Sequence, residues 1–192
     1  LQAKLNELEI PPNNIWTQTL GKFFYAQLPT QDEKGYPFPY KDFPHPGPLF
    51  SASFSPDGKY VLTAVFDSTA KLWDLSANKV IQEFKGHNGL VLTAAFSPSG
   101  KYVLTGSEDS TAKLWDLGGN ELHTIRGRHE DIFSVAFSPD EKYFLTGGSN
   151  GMLKLWSLNG KELQAVKENE YESIISSVSF SPNGKYILTP GM

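Results

Sequence analysis

Three histidines with a constant spacing are the first candidates for chemistry in this sequence. His45, His87 and His129 lie 42 residues apart along the chain. Imidazole is a common metal ligand, so three of these groups at one point would suggest a metal site. The spacing follows a repeat in the sequence, however, and assigns each histidine to a different structural unit. No carboxylates cluster around them, and we therefore predict no metal site.

No other set of residues has the pattern of a catalytic site. No Ser/His/Asp or Cys/His arrangement stands outside the repeat, and the chain has no cysteine, which removes thiolate chemistry. The glycine pairs Gly118-Gly119 and Gly147-Gly148 are expected in turns rather than before a helix, where a phosphate-binding loop would need them. We predict a protein that is not an enzyme and that uses no cofactor.

The histidine spacing reflects a repeat of the whole sequence. Residues 96–117 read FSPSGKYVLTGSEDSTAKLWDL and differ from residues 54–75 at four of 22 positions. A third copy occupies residues 137–158, and a fourth begins at Phe180. The phenylalanine that opens each copy recurs after 42, 41 and 43 residues. This period is typical of propellers and solenoids, whose units bury their faces by stacking on neighbouring units.

Each copy is expected to form four short antiparallel strands. In the second copy, residues 102–105 and 111–115 are rich in side chains that favour strands. The Ser-Pro-Ser-Gly sequence at residues 97–100 and the polar residues 108–110 have the composition of turns. A further run at residues 121–125 supplies the fourth strand before the next copy begins.

The second copy resembles the WD40 repeat family through a Trp-Asp pair, an upstream Gly-His pair, a Ser-Pro turn and a turn aspartate. These residues are Trp115-Asp116, Gly86-His87, Ser97-Pro98 and Asp109. The first and third copies match less fully, through Asp67 with Trp73-Asp74 and through Gly127, His129 and Trp156. The likeness covers roughly residues 44–192. It implies an all-β fold, a partial and open β-propeller of four-stranded antiparallel blades around a central channel.

The blades counted from this likeness are three and half of a fourth. We assign residues 1–48 to an N-terminal segment and residues 49–192 to a propeller fragment. Its blades cover approximately residues 49–85, 90–126 and 132–167, with an incomplete blade at 174–192. Closed propellers have about four to eight blades. We therefore expect the remaining blades to come from the same full-length chain or, as the less favoured alternative, from another copy.

The N-terminal segment has three parts with different expectations. Leucines at positions 1, 5 and 8 predict a short amphipathic helix over residues 1–10. Residues 22–28 have the composition of a strand, placed as the outer strand of a preceding blade. Residues 29–48 contain six prolines interleaved with aromatic residues. We interpret them as an extended linker whose aromatic side chains lie on the neighbouring blade, with a ligand for a proline-recognising groove as the alternative.

The WD40 likeness also implies a hydrogen-bonded chain inside each blade. In the second blade its members are His87, Asp109, Trp115 and one hydroxyl, supplied by either Thr105 or Ser107, which share a strand face. The first and third blades keep fewer members: His45, Asp67 and Trp73 in the first, and Trp156 with asparagine in place of the aspartate in the third. The second blade is therefore expected to be the most complete, and the tryptophans are expected in the core.

The likeness further implies that partners dock on the top face of the propeller. The top face is formed by the starts of the first strands and by the turns between the second and third strands. The corresponding residues are Phe50, Phe66, Leu92, Glu108, Phe133 and Ser149. Four of the six are large and apolar, which favours a protein-binding patch. The alternative is that they pack against missing blades or the proline-rich segment.

The composition excludes two classes of partner, nucleic acid and membrane. The net charge is −4 with interspersed signs, and the chain has only two arginines, which argues against nucleic acid. No run of about 18 apolar residues exists, so no membrane partner is expected. The absence of cysteine fits a cytoplasmic protein. Repeated lysines, among them Lys71, Lys113 and Lys154 on the third strands, are interpreted as solvated positions.

These observations lead to one functional prediction and one alternative. We predict a non-catalytic scaffold for protein–protein interaction, because the residues of each copy are accounted for by the blade itself. The alternative is a regulatory or sensor module of a larger signalling protein of bacterial type, whose enzymatic domain lies outside this sequence.

Overall fold

Every regular element in the described part of the chain is a β-strand. The computed structural model describes residues 22–26, 40–45, 47–126, 131–167 and 174–190. These residues form five separate antiparallel sheets, three with four strands and two with two strands, and no closed sheet. The structure confirms the all-β prediction and the partial array of four-stranded blades.

Each four-stranded sheet is formed by consecutive strands, and we number these sheets as blades. Blade 1 contains β3 (Leu49–Phe54), β4 (Tyr60–Val65), β5 (Thr69–Asp74) and β6 (Lys79–Lys85). Blade 2 contains β7 (Val91–Phe96), β8 (Tyr102–Ser107), β9 (Thr111–Asp116) and β10 (Glu121–Arg126). Blade 3 contains β11 (Ile132–Phe137), β12 (Tyr143–Gly148), β13 (Met152–Ser157) and β14 (Glu162–Lys167). The first strands of neighbouring blades, β3, β7 and β11, pack beside one another.

A two-stranded sheet follows blade 3. Its strands are β15 (Ser179–Phe180) and β16 (Ile187–Leu188), and β15 packs beside β11. Ile175 and Val178 just before it are buried against Leu145 of blade 3. Among the described residues, no helix has the length and apolar character needed to span a bilayer.

Small residues allow neighbouring blades to approach closely. A β-carbon on Gly106 would lie 2.6 Å from the Ile132 side chain, and one on Gly147 would lie 2.5 Å from the Ile175 side chain. Both distances are shorter than van der Waals contact, so glycine is required where the next blade approaches. Gly147 and Gly148 were expected in a turn, and that prediction is wrong because both belong to β12.

The tryptophans lie between the blades. Trp73, Trp115 and Trp156 are 4%, 1% and 5% exposed. The ring of Phe84, on the last strand of blade 1, lies 5.8 Å from the ring of Trp115 in blade 2. In the same way Ile125 of blade 2 joins the cluster that contains Trp156 of blade 3. The fourth strand of each of these blades therefore covers the tryptophan of the next, which couples the blades into one packed array.

The proline-rich segment contains a strand that the composition did not indicate. β1 (Lys22–Ala26) pairs antiparallel with β2 (Tyr40–Pro44), so residues 40–44 are not a linker. Phe43 is fully buried, and its ring lies 5.2 Å from the ring of Trp73. It therefore covers the tryptophan of blade 1 as Phe84 covers that of blade 2. The predicted helix at residues 1–10 lies outside the described residues.

Candidate protein-binding face

Blade 2 contains a continuous chain of buried hydrogen bonds. The indole N–H of Trp115 donates to Oγ1 of Thr105 at 2.9 Å, and this oxygen lies 2.7 Å from Nε2 of His87. Nδ1 of His87 lies 3.0 Å from Oδ2 of Asp109. An ionised carboxylate only accepts hydrogen bonds, so Nδ1 carries the proton and the hydroxyl of Thr105 donates to Nε2. Each polar group in this series of hydrogen bonds therefore has a partner.

Thr105 supplies the hydroxyl of this chain, and Ser107 does not. Oγ of Ser107 instead accepts the backbone N–H of Asp109 at 3.1 Å, which orders the turn. The carboxylate of Asp109 also accepts the backbone N–H groups of Asn88 at 2.8 Å and Thr111 at 2.9 Å. Asp109 therefore holds the His87 ring, the loop before blade 2 and the β8–β9 turn together.

Burial and hydrogen bonding shift the pKa values of the charged pair. Burial lowers the pKa of His87 below its usual value and outweighs the carboxylate of Asp109, which raises it. Burial also opposes the charge on Asp109, but hydrogen bonds from Thr111, Asn88 and His87 hold the pKa of Asp109 below its usual value. At neutral pH the pair is therefore a neutral imidazole beside a carboxylate, which is a structural arrangement.

The bond between tryptophan and threonine recurs in all three blades. The indole N–H of Trp73 donates to Thr63, and that of Trp156 donates to Thr146, each at 3.0 Å. A threonine closes the Lys-Tyr-X-Leu-Thr motif in every copy of the repeat, whereas Ser107 has no hydroxyl counterpart in blades 1 and 3. This recurrence is the sequence signal that separates the two candidates.

Blades 1 and 3 have Asp67 and Asn150 at the position of Asp109. In blade 1 the carboxylate of Asp67 accepts a bond from Nζ of Lys71 at 2.8 Å, and the ring of His45 lies edge-on to Trp73 with ring centroids 4.8 Å apart. In blade 3 Oδ1 of Asn150 accepts the backbone N–H of Met152 at 3.0 Å. His129, the candidate histidine of blade 3, lies outside the described residues.

The lysines of the third strands are buried, so their interpretation as solvated positions is wrong. Lys71, Lys113 and Lys154 are 8%, 8% and 5% exposed. Nζ of Lys113 lies 5.8 Å from the centre of the Trp115 ring. Each ammonium group also pairs with a carboxylate of the fourth strand, at 3.3, 2.6 and 3.5 Å in blades 1, 2 and 3. A long aliphatic stem that covers an indole explains why these cations are not at the surface.

The top face is built in the same way in each blade. The backbone N–H at the start of the turn between the second and third strands donates to a carbonyl just before the first strand. These bonds join Phe66 to Pro48 at 3.1 Å, Glu108 to Leu90 at 3.0 Å and Ser149 to Asp131 at 3.0 Å. The turn and the entry of the first strand therefore lie side by side on every blade.

Blade 1 displays an aromatic pair on this face. The rings of Phe50 and Phe66 stack with centroids 6.3 Å apart and planes 24° from parallel. Their side chains are 41% and 51% exposed. A β-carbon on Gly47 would lie 3.3 Å from Cβ of Phe66, so the loop before β3 runs directly beside this ring.

The other four predicted top-face residues do not extend this apolar patch uniformly. Leu92 is only 8% exposed, because β7 packs between β3 and β11, so it does not contribute to an exposed patch. Phe133 is half-buried, Glu108 is exposed and Ser149 is half-buried. Within the described ranges, no three or more His, Asp or Glu side chains gather into a potential metal site.

Comparison with known proteins agrees with this architecture. The family model described as "WD domain, G-beta repeat" matches four segments of the chain, at residues 39–74, 78–116, 119–157 and 160–191. Together these segments cover more than half of the sequence.

Individual relatives are similar over a shorter stretch. A protein named mRNA export factor from Macaca fascicularis is 44% identical over 50 residues, which are 26% of this chain and 14% of that protein. The proteins of the same name from Bos taurus and Danio rerio are both 42% identical over 50 residues, with the same shares. The similarity thus spans only 14% of the length of these relatives.

Proposed function

This chain belongs to the WD40-repeat family, and on that premise we propose that it is a non-catalytic scaffold for protein–protein interaction. WD40 domains are typically non-catalytic and generally mediate protein interactions. The observation that carries the proposal is the stacked pair of Phe50 and Phe66, displayed on the top face of blade 1. The proposal includes a cytoplasmic location, with which the cysteine-free composition is compatible.

The aromatic pair has the properties of an anchor for a partner. Aromatic side chains combine a large apolar area with few rotatable bonds, so little conformational entropy is lost when a partner covers them. Phe66 occupies a turn position at which the other two blades have Glu108 and Ser149. A phenylalanine that is 51% exposed in such a turn contributes little to the core and remains available for contact.

Selection of peptides on the protein tests this proposal. Short random peptides displayed on phage are selected on the wild-type chain, and the Kd of each enriched peptide is measured for two variants. Phe66→Glu removes the anchor, whereas Phe54→Glu is the matched control. Phe54 is 49% exposed and lies at the opposite end of β3 from Phe50, so both variants place one charge on an exposed aromatic position of blade 1.

The two variants are expected to differ in binding and not in folding. Phe66→Glu should weaken binding at least about tenfold, the loss typical of an anchor residue in an interface. Phe54→Glu should leave Kd within about twofold, since exposed residues outside an interface contribute little. The melting temperature of Phe66→Glu should remain close to that of wild type. A large drop in that temperature would show that Phe66 packs inside the protein, and equal binding by both variants would also contradict the proposal.

The name of the relatives adds no specific role to this proposal. "mRNA export factor" describes proteins of which the similarity covers 14% of the length. A match of 50 residues is little longer than one repeat period of this chain, which is 41 to 43 residues. We therefore base the proposal on the exposed aromatic pair and not on that name.

The second candidate function is a regulatory or sensor module within a larger signalling protein. The near identity of the first two copies, which differ at four of 22 positions, favours it because it is consistent with recent duplication of blades. An adjoining nucleotide-binding or protease domain in the complete reading frame would support this candidate. The Phe66→Glu experiment is informative under either function, because both place the partner on the same face.

A further inference from the structure

We propose that the top face recognises an extended peptide segment with an aromatic or aliphatic anchor and a basic residue about three positions away. The anchor lies on the Phe50–Phe66 pair, and the basic residue pairs with Glu108. This inference rests on the function proposed above and adds the chemical class of the partner.

The apolar half of the site is a fixed surface on blade 1. The rings of Phe50 and Phe66 lie 6.3 Å apart and nearly parallel, so together they form one apolar surface. The backbone N–H of Phe66 is bonded to the carbonyl of Pro48 at 3.1 Å, which holds the turn in place before a partner arrives. A side chain that is itself apolar and at least the size of leucine is needed to cover both rings.

The acidic half of the site lies on the adjacent blade. Glu108 occupies the turn of blade 2 that corresponds to Phe66, and it is exposed. Asp131, which precedes β11, adds a second carboxylate on the same face and is half-exposed. Within the part of the chain that the structure describes, neither carboxylate forms an ion pair, so both are available to a cation on a partner.

Among the described residues, the cations of the blades do not neutralise this region. Lys71, Lys113 and Lys154 are buried and paired with carboxylates of their own blades. The exposed cations described near the same face are the last residues of the fourth strands, which are the outermost strands of the sheets. They are Lys85, Arg126 and Lys167. Negative charge is therefore concentrated inside this basic rim, where it attracts a basic side chain and disfavours an acidic one.

The geometry of packed sheets sets the spacing between anchor and basic residue. Blades 1 and 2 are neighbours, since β3 packs beside β7 and Oγ of Ser51 reaches the carbonyl of Ala94 at 3.5 Å. Facing sheets lie about 10 Å apart, and an extended chain advances about 3.3 Å per residue. A peptide that crosses from the turn of blade 1 to the turn of blade 2 therefore covers the distance with about three residues.

Synthetic peptides of defined sequence test this inference. The first peptide has a central phenylalanine and a lysine three positions later in a Gly/Ser background, the second has glutamate in place of the lysine, and the third has serine in place of the phenylalanine. Their Kd values are measured by fluorescence anisotropy for the wild-type chain, Glu108→Lys and Phe66→Glu. Glu108 is exposed, and within the described part of the chain its carboxylate accepts no hydrogen bond, so its substitution is expected to leave the melting temperature unchanged.

The expected result is that Glu108→Lys reverses the preference for the charge of the peptide. Wild type should bind the lysine peptide roughly tenfold more tightly than the glutamate peptide, and Glu108→Lys should reverse this order, because an attraction becomes a repulsion in each case. The preference should shrink at high salt. The serine peptide should bind weakly to every variant, and Phe66→Glu should bind all three peptides weakly.

Each contrary outcome identifies what has failed. Binding that needs Phe66 but does not distinguish lysine from glutamate overturns this inference and leaves the proposed function intact. Binding that is unchanged in Phe66→Glu overturns the proposed function as well. If none of the three peptides binds wild type while peptides selected from the random library do, the anchor-plus-basic pattern is wrong.

Discussion

Blades 2 and 3 have the same four strands but differ in how their polar groups are satisfied. Both contain a buried tryptophan bonded to a threonine, at 2.9 Å in blade 2 and 3.0 Å in blade 3. Blade 2 continues this bond through His87 to Asp109, whereas blade 3 has Asn150, which accepts a backbone N–H within its own turn. Among the described residues, the tryptophan–threonine bond recurs in all three blades, and its extension through a histidine to a turn aspartate is seen in blade 2. We expect this extension to make blade 2 the more stable of the two.

The largest difference in stability loss between the two blades is expected at the side chain that accepts hydrogen bonds in the turn between the second and third strands. Asp109→Ala removes the acceptor for His87, for Asn88 and for both donor groups of Thr111, and should cost about 3 kcal/mol because buried donors lose their partners. Asn150→Ala should cost about 1 kcal/mol. Urea denaturation of the two variants measures both values, and equal losses would show that blade 2 gains nothing from its longer chain.

The threonine hydroxyls provide a second matched pair with a smaller expected effect. Thr105→Val leaves the N–H of Trp115 and Nε2 of His87 without a partner, and should cost about 2 kcal/mol. Among the described residues, Thr146→Val interrupts one side-chain bond, that to Trp156, and should cost about 1 kcal/mol. Valine keeps the volume of threonine in both blades, so unequal packing does not enter the comparison. A larger loss at Thr146 would contradict the greater role given to blade 2.

The pH dependence of stability is expected to come from blade 2. Because the pKa of His87 is lower in the folded chain than in the unfolded chain, the unfolded state binds more protons as pH falls. This contribution to stability is complete above the unfolded pKa of about 6.5 and is lost as pH falls below it. His87→Gln should reduce the slope of unfolding free energy against pH in this window, measured by urea denaturation at a series of pH values. An unchanged slope in His87→Gln would contradict the neutral assignment.

The turns after the first strands of blades 2 and 3, on the face opposite the top face, are the third pair that we compare. Substitutions there are expected to change stability least. Ser99 of blade 2 stands where blades 1 and 3 have Asp57 and Asp140, and its backbone N–H and hydroxyl donate to the carboxylate of Glu141 in blade 3. Glu141 has φ +57°, at a position where Gly58 has φ +69°. In the turn of blade 2 the hydroxyl of Ser99 accepts the backbone N–H of Lys101, the bond that an aspartate accepts in the other two turns. Glu141 adds a carboxylate to this turn from across the blade boundary.

A double-mutant cycle tests the contact between Ser99 and Glu141. Ser99→Asp alone should destabilise by about 1 kcal/mol, because its new carboxylate faces that of Glu141. Adding Glu141→Gly should recover that loss, since it removes the repulsion and restores glycine at a positive φ. Additive effects of the two substitutions would show that the side chains do not interact.

The repeat period predicted the blades well because strands and turns depend on local sequence. The recurring Phe, Ser-Pro and Trp positions mark strand boundaries that the structure reproduces in three consecutive sheets. The side-chain environment was predicted less well. Thr105 and Ser107 share one strand face, so alternation alone did not separate them. Lys113 was read as solvated because its charge suggests water, although its stem lies on Trp115.

Burial on the top face depends on neighbours that the repeat does not encode. Phe50 and Leu92 occupy corresponding positions, yet Phe50 is 41% exposed and Leu92 only 8%. Leu92 lies in the middle blade, with a first strand packed on either side, and this difference follows from position in the array. Phe43 packs on Trp73 of the neighbouring blade, as expected for the aromatic residues of its segment. Strand β2, which holds it, was not predicted because the proline-rich surroundings favour a linker.

The central claim is that stability and partner binding are assigned to different regions of the molecule. It is tested most directly by measuring melting temperature and peptide Kd on Thr105→Val and Phe66→Glu side by side, at a temperature where both are folded. Thr105 is fully buried inside blade 2, so we predict that Thr105→Val melts earlier but binds the selected peptide as wild type does, whereas Phe66→Glu melts as wild type does but loses the peptide. A Phe66→Glu variant that melts as early as Thr105→Val would contradict the account.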